Sequence, residues 1–153
     1  MTHEPPSADA APSRMLELPT WLISGAYARS HRLLADAFAA ADARGYHYRL
    51  LAALEEFGPA SQAALGRRTS IDRSDVVAAL NELAERKLIE RTLDPEDRRR
   101  NIVTITPAGI ERLRTLDGVV AGVQDKLLAP LSPAERTRLI RLLTRLLEDD
   151  AQP

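Results

Sequence analysis

Residues Asp94 to Gly109 read DPEDRRRNIVTITPAG, and the rest of the chain arranges itself around them. Asp94-Pro95 opens a turn, because proline fixes φ and aspartate tolerates a tight backbone. Arg98, Arg99 and Arg100 stand at its tip. Beyond them Val103 and Ile105 alternate with Asn101, Thr104 and Thr106, with Ile102 breaking the polar side. That is the pattern of a half-buried strand. Thr106 is placed to cap a helix, and Pro107 suits its first turn. Before the turn, Leu88 to Leu93 alternates in the same way. The spacing predicts a β-hairpin tipped with guanidinium groups. A planar fork of this kind bonds phosphate or a groove edge. Asp94, Glu96 and Asp97 are near enough in sequence to neutralise the arginines instead, so the loop alone leaves both readings open.

Working outward, residues 1–19 are rich in Pro, Ala and Ser and are expected to form a flexible arm, ordering near Met15 to Leu18. Thr20 is expected to cap a helix running to about Ala41, with Trp21, Leu22, Tyr27, Leu34 and Phe38 among its larger apolar residues. A second helix, Tyr46 to Phe57, carries Leu50, Leu51, Leu54 and Phe57 at helical spacing and stops at Gly58-Pro59. Ser61 caps a short helix, Gln62 to Arg68, and Thr69-Ser70-Ile71 makes a tight connection. Asp72 caps a longer helix from Arg73 to about Lys87, with Val76, Leu80 and Leu83 facing inward. After the hairpin a long helix from Pro107 to about Leu128 repeats Ile110, Leu113, Leu116, Val120, Val123 and Leu127. Ser132-Pro133-Ala134-Glu135 is a capping box, and the helix it starts bears a stripe of Leu139, Leu142, Leu143, Leu146 and Leu147. Two helices joined by a tight turn and followed by a hairpin make a winged helix-turn-helix, whose second helix enters a major groove.

Composition narrows the alternatives. At 153 residues and 44% hydrophobic content the chain can bury a core. It has no cysteine, which excludes disulfides, thiolate metal sites and thiol chemistry. The start MTHEPPSADAAPSR lacks a secretory hydrophobic region, and no apolar run spans a bilayer, so a soluble cytoplasmic protein is expected, with no membrane partner. Net charge is −1, so any nucleic-acid contact must come from a local basic patch. Three scattered histidines and the lack of an H-E-x-x-H, a G-x-S-x-G or a Gly-rich phosphate loop leave no catalytic set and no cofactor or metal to expect.

The segment SQAALGRRTSIDRSDVVAALNELAERKLIERTLDPEDRRRNIVTITPAG, Ser61 to Gly109, resembles the MarR family of bacterial transcriptional regulators. The most specific match is the wing, at Asp94, Pro95, Asp97, Arg99, Val103, Ile105, Thr106 and Gly109. Asp72, Arg73 and Ser74 also fit, as do Leu83, Leu88, Ile89 and Arg91, and helix order agrees over about residues 20 to 150. The resemblance implies a mainly α fold with a small β-hairpin, in which a winged helix-turn-helix (58–106) joins a dimerisation layer of interlocking N- and C-terminal helices (20–57 and 107–150). It further implies a homodimer on a near-palindromic double-stranded operator, and a repressor released by a small phenolic or anionic effector. Half-sites would lie about one helical turn, ~34–36 Å, apart. Arg99 would enter the minor groove with Asp97 holding it.

The DNA-facing set expected is therefore Ser61, Gln62, Arg73, Ser74, Asp75, Asn81, Asp97, Arg98, Arg99 and Arg100. Asp75 can instead serve the helix dipole, or accept from a cytosine amino group. Arg67 and Arg68 suit either the end of their helix or a phosphate. Trp21, Tyr27, His31, Tyr46 and His47 are the aromatic or titratable residues expected around an effector, although such stripes are more often core. Asp75, Val77 and Ala78 stand where the family often has Thr, a polar residue and Arg, and Thr69-Ser70 replaces a usual Leu-Gly. An apolar or acidic groove face cannot bond phosphate. The rival expectation is accordingly a winged-helix protein-interaction module, a partner or antagonist of another regulator.

Overall fold

Three helix starts form on the hydroxyl caps that the sequence places there. In the computed structural model, which describes residues 10–148, Ser61 Oγ accepts the Ala64 N–H at 3.3 Å and opens α4 (Gln62–Thr69). Thr106 Oγ1 accepts the Gly109 N–H at 3.0 Å and opens α6 (Pro107–Leu127), with Pro107 at its first position. Ser132 and Glu135 bond reciprocally at 2.8 and 3.2 Å and open α7 (Pro133–Glu148).

Other boundaries differ from expectation, each for a local reason. Residues 13–16 form a helical turn, α1 (Ser13–Leu16), while residues 1–9 of the expected arm lie outside the described residues. Helix α2 (Pro19–Ala40) starts one residue before Thr20, because Pro19 takes the first-turn place and Leu18 becomes the cap without a side-chain bond. Helix α3 (Gly45–Phe57) begins with the Arg44 backbone N–H donating to His47 Nδ1 at 3.3 Å, a cap made by histidine. Asp72 sits at the cap of α5 (Arg73–Glu85), but its side chain makes no cap bond. That helix ends at Glu85 and not near Lys87, which has turned to φ 58°. Ser70, at φ 53°, reverses the chain between α4 and α5.

The hairpin strands are β2 (Ile89–Leu93) and β3 (Asn101–Ile105), antiparallel with Arg91 opposite Val103. A third strand, β1 (Ala60–Ser61), pairs with the far edge of β3, giving the order β1-β3-β2. Val103 thus lies in a central strand and is fully buried. Helix α3 is the hub: it touches α2, α4, α5, α6 and β3. Its Leu50, Leu51 and Leu54 are buried to 1% exposure or less, each contributing about 1.5–3 kcal/mol. Phe57, expected on the same stripe, is exposed and lies beneath the Arg68 guanidinium, 4.7 Å from the ring centroid.

Helix α7, like the short α1, stands outside this packing. None of its residues is buried, and Ile140, Leu142, Leu143, Leu146 and Leu147 face outward. The start of α2 is similar, with Trp21, Leu22 and Ile23 exposed. Among the described residues no helix is long and apolar enough to cross a membrane.

Candidate nucleic-acid interface

The wing is ordered from its own backbone outward. Asp94 is buried, and its Oδ1 accepts the Glu96 N–H at 2.9 Å, closing the turn that Asp94-Pro95 opens. The Asp94 N–H donates to the Arg100 carbonyl at 2.9 Å, and the Arg100 N–H donates to the Asp97 carbonyl at 3.0 Å. Asp97 Oδ1 accepts the Arg99 backbone N–H at 3.0 Å. The Arg100 guanidinium pairs with Asp94 at 3.4 Å and with Asp97 at 3.6 Å.

These bonds divide the three tip arginines. Arg100 is neutralised within the loop, so it braces the turn as well as facing outward. Arg98 and Arg99 are exposed and have no ion pair among the described residues. Asp97 fixes the backbone of Arg99 and directs its guanidinium salt bridge to Arg100, not to Arg99.

Between the wing and the α4–α5 turn runs a groove of about 560 Å³, lined by Ser61, Gln62, Arg67, Arg73, Arg99, Arg100 and Asn101 over an apolar floor that includes Ile71 and Val76. Five residues of the expected DNA-facing set meet there: Ser61, Gln62, Arg73, Arg99 and Arg100. Arg67, which could have served only its helix end, joins them, and Asn101 was not foreseen. Ser74 is exposed beside them on the first turn of α5.

Two members of the set point elsewhere. Asp75 is half-buried and accepts the Tyr46 hydroxyl at 3.4 Å. Asn81 Oδ1 accepts from Arg91 Nη2 at 2.8 Å, tying α5 to β2. Val77 and Ala78 are exposed on the next turn of α5.

A second cavity, of about 580 Å³, lies among α2, the first turn of α3 and α6. Tyr27, His31 and Tyr46 line it, as do Leu34, Phe38 and Val120. Tyr27 and His31 stack, with centroids 5.8 Å apart. Arg44, Tyr48 and Arg49 also line it and were not anticipated; both guanidiniums lie over the Tyr46 ring, at 6.0 and 5.3 Å. The Tyr48 hydroxyl donates to Asp117 at 2.8 Å; burial first, and then that carboxylate, push its pKa up.

Trp21 and His47 do not line this cavity. Trp21 is 44% exposed near the start of α2. His47 is 4% exposed and faces α5 instead. Its Nδ1 accepts the Arg44 N–H, so Nε2 carries the proton and donates to Glu82 Oε2 at 2.6 Å. Burial lowers its pKa, and the bond to Glu82 opposes that only in part. Among the described residues no group of three or more His, Asp or Glu is placed to hold a metal ion.

The MarR family model matches residues 42–100, from the start of α3 to the tip of the wing. Over 100 residues, 65% of the chain, the sequence is 30% identical to the HTH-type transcriptional repressor NicR of Pseudomonas putida, covering 63% of that protein. With a regulatory protein ascribed to the hcr operon of Thauera aromatica it shares 40% identity over 92 residues, 60% of the chain and 55% of the relative. The chain therefore spans less than two thirds of these curated relatives. Its likeness to solved structures is longer. A probable transcriptional regulator from Pseudomonas aeruginosa superposes with a TM-score of 0.75 and 32% identity, over 87% of this chain and 99% of that one. Bordetella bronchiseptica BpsR, whose DNA binding is regulated by 6-hydroxynicotinic acid, superposes with a TM-score of 0.75 and 26% identity, over 89% and 97%. The proteins it resembles are regulators of transcription, not enzymes.

Proposed function

From the premise that the chain belongs to the MarR family of transcriptional regulators, we propose that it works as a homodimeric, sequence-specific repressor that a small aromatic anion releases from DNA. The observation that carries the reading is the groove between wing and α4–α5 turn, where Arg67, Arg73 and Arg99 converge with no ion pair among the described residues. Unpaired guanidiniums on a rigid concave surface are suited to phosphate, and the overall charge of −1 makes their clustering more telling. Arg73 and Ser74 would reach into the major groove, with Arg98 and Arg99 at the flanking backbone and minor groove. Asp75 leans toward Tyr46, which moves its charge off the groove face.

Residues 58–106 would be the DNA-binding unit, with 20–57 and 107–150 as the dimer layer. The exposed leucine stripe of α7 and the exposed apolar start of α2 each support pairing, since large exposed apolar surface marks an interaction site. The cavity around Tyr46 has the size and lining of a small-molecule site, with aromatic walls and the cations Arg44 and Arg49. Regulation of BpsR by 6-hydroxynicotinic acid supports an aromatic carboxylate as the ligand class. The protein would act in the cytoplasm, where its DNA lies.

A second reading, a protein-interaction module, draws on the apolar Val77 and Ala78 exposed on α5. Mobility shift combined with light scattering separates them. The repressor reading expects two chains per duplex taken from a random pool. A monomer, or no shifted duplex at low salt, favours the interaction module.

A further inference from the structure

Helix α5 is strapped to the corner between α2 and α3 along one face. Its contributing residues, Asp75, Glu82 and Arg86, are spaced seven and four apart, which stacks them on a single side of the helix. Asp75 accepts the Tyr46 hydroxyl at 3.4 Å. Glu82 accepts from Arg44 Nη2 at 2.8 Å and from His47 Nε2 at 2.6 Å. Arg86 donates to the Asp42 carbonyl at 2.7 Å and pairs with its carboxylate. The corner's side of the strap thus comes from positions 42–47.

Arg44 stands between two cavities. On one side is the aromatic cavity of Tyr46; on the other is a polar pit of about 380 Å³ bounded by Asp42, His47, Glu82, Glu85 and Arg86. Its pair with Glu82 is half exposed, at 48% and 43%, the range in which ion pairs exchange readily. We propose that Arg44 is a shared cation, for which Glu82 and an aromatic carboxylate in the Tyr46 cavity compete, so that filling the cavity loosens α5 from the corner. The inference rests on reading that cavity as an effector site. Once Arg44 turns away, Glu82 keeps only the neutral His47 as donor. The pit then holds three carboxylates, of Asp42, Glu82 and Glu85, against Arg86 alone. Repulsion among them weakens the strap, and the helix that bears Arg73 and Ser74 loses its fixed orientation.

Competition is reciprocal: what the ligand takes from Glu82, loss of Glu82 returns to the ligand. The test is calorimetric titration of the full chain with benzoate, 4-hydroxybenzoate and 6-hydroxynicotinate. Glu82→Gln should bind the best of them about two- to five-fold more tightly, the factor that corresponds to about 0.4–1 kcal/mol for a half-exposed pair. Arg44→Gln should bind about tenfold more weakly or worse. The double variant should behave as Arg44→Gln alone, since Glu82 then has nothing to withhold. If Glu82→Gln melts far below the parent, Glu82→Asp replaces it; drawing the carboxylate back one methylene should also tighten binding. Hydrogen exchange in α5 supplies a second readout: the best acid should speed it in the parent and leave Glu82→Gln unchanged. Unchanged or weaker binding by Glu82→Gln, with the parent binding normally, overturns the competition and leaves the effector site standing. If none of the three acids binds the parent, the effector reading falls, and the competition falls with it.

Discussion

Replacing Gly109 by alanine should loosen the joint between the wing and α6. A Cβ at this position would lie 2.1 Å from the Leu88 carbonyl oxygen and 2.7 Å from Ile105 Cγ1. The Ile105 side chain can shift, but the Leu88 carbonyl accepts the Thr106 N–H at 3.1 Å, the bond that sets where α6 leaves the sheet. Relieving the clash therefore costs overpacking strain of about 1–3 kcal/mol and part or all of a hydrogen bond, about 0.5–1.5 kcal/mol. A combined loss of about 2–4 kcal/mol lowers the melting midpoint by roughly 5–15 °C in a chain of this size. Circular dichroism at fixed protein concentration reads it, because an oligomer's midpoint depends on concentration. Gly118→Ala is the control on the same helix. Nothing lies within 4 Å of its added Cβ, so the midpoint should hold or rise slightly. Gly109→Ala melting within about 2 °C of the parent would refute the packing argument.

Three further outcomes are expected. Arg100→Ala, which breaks the long pairs from an exposed guanidinium to the buried Asp94 and the half-exposed Asp97, should speed amide exchange in the wing while costing on the order of 1 kcal/mol of global stability. Leu146→Glu places a charge on the exposed stripe of α7, and sedimentation should show the proposed dimer giving way to monomer. His47 has a folded pKa below its unfolded value of 6.5, so its neutral form is the one the fold favours. Stability is then complete above about pH 6.5 and declines as acidification passes through that value toward the folded pKa, and His47→Gln should flatten the melting profile in that window.

Three of the caps and the wing were legible in the sequence because their chemistry is local, whereas the caps expected of Thr20 and Asp72 do not form. Ser61, Thr106 and the Ser132–Glu135 box each bond within three residues, and spacing alone specifies such bonds. Strand β1 was not legible: two residues after Gly58-Pro59 carry no periodicity, and only β3 supplies their partner. Of the residues expected to face DNA, only part of the set comes together in one groove. Arg73 and Arg99 reach the groove, but Asn81 is claimed by Arg91 and Asp75 by Tyr46, across ten and 29 residues of chain. The cavity was the least readable. Aromatic character pointed to Tyr27, His31 and Tyr46, whereas Arg44 and Arg49 enter it only because α3 folds back beside α2. His47, next to Tyr46 in sequence, faces the opposite side because its Nδ1 is engaged in capping α3. The stripe of α7 was legible as a periodic apolar face, and nothing among the described residues buries it.

The most direct test of the central claim is the salt dependence of binding to a duplex selected by the parent protein, repeated with Arg99→Ala. Between about 50 and 200 mM salt the parent's affinity should fall steeply. Arg99→Ala should bind more weakly, with a log–log slope shallower by about one per protomer and so about two for the dimer, and with an unchanged melting curve. An affinity and slope equal to the parent's would contradict the proposal that the wing grips the DNA backbone.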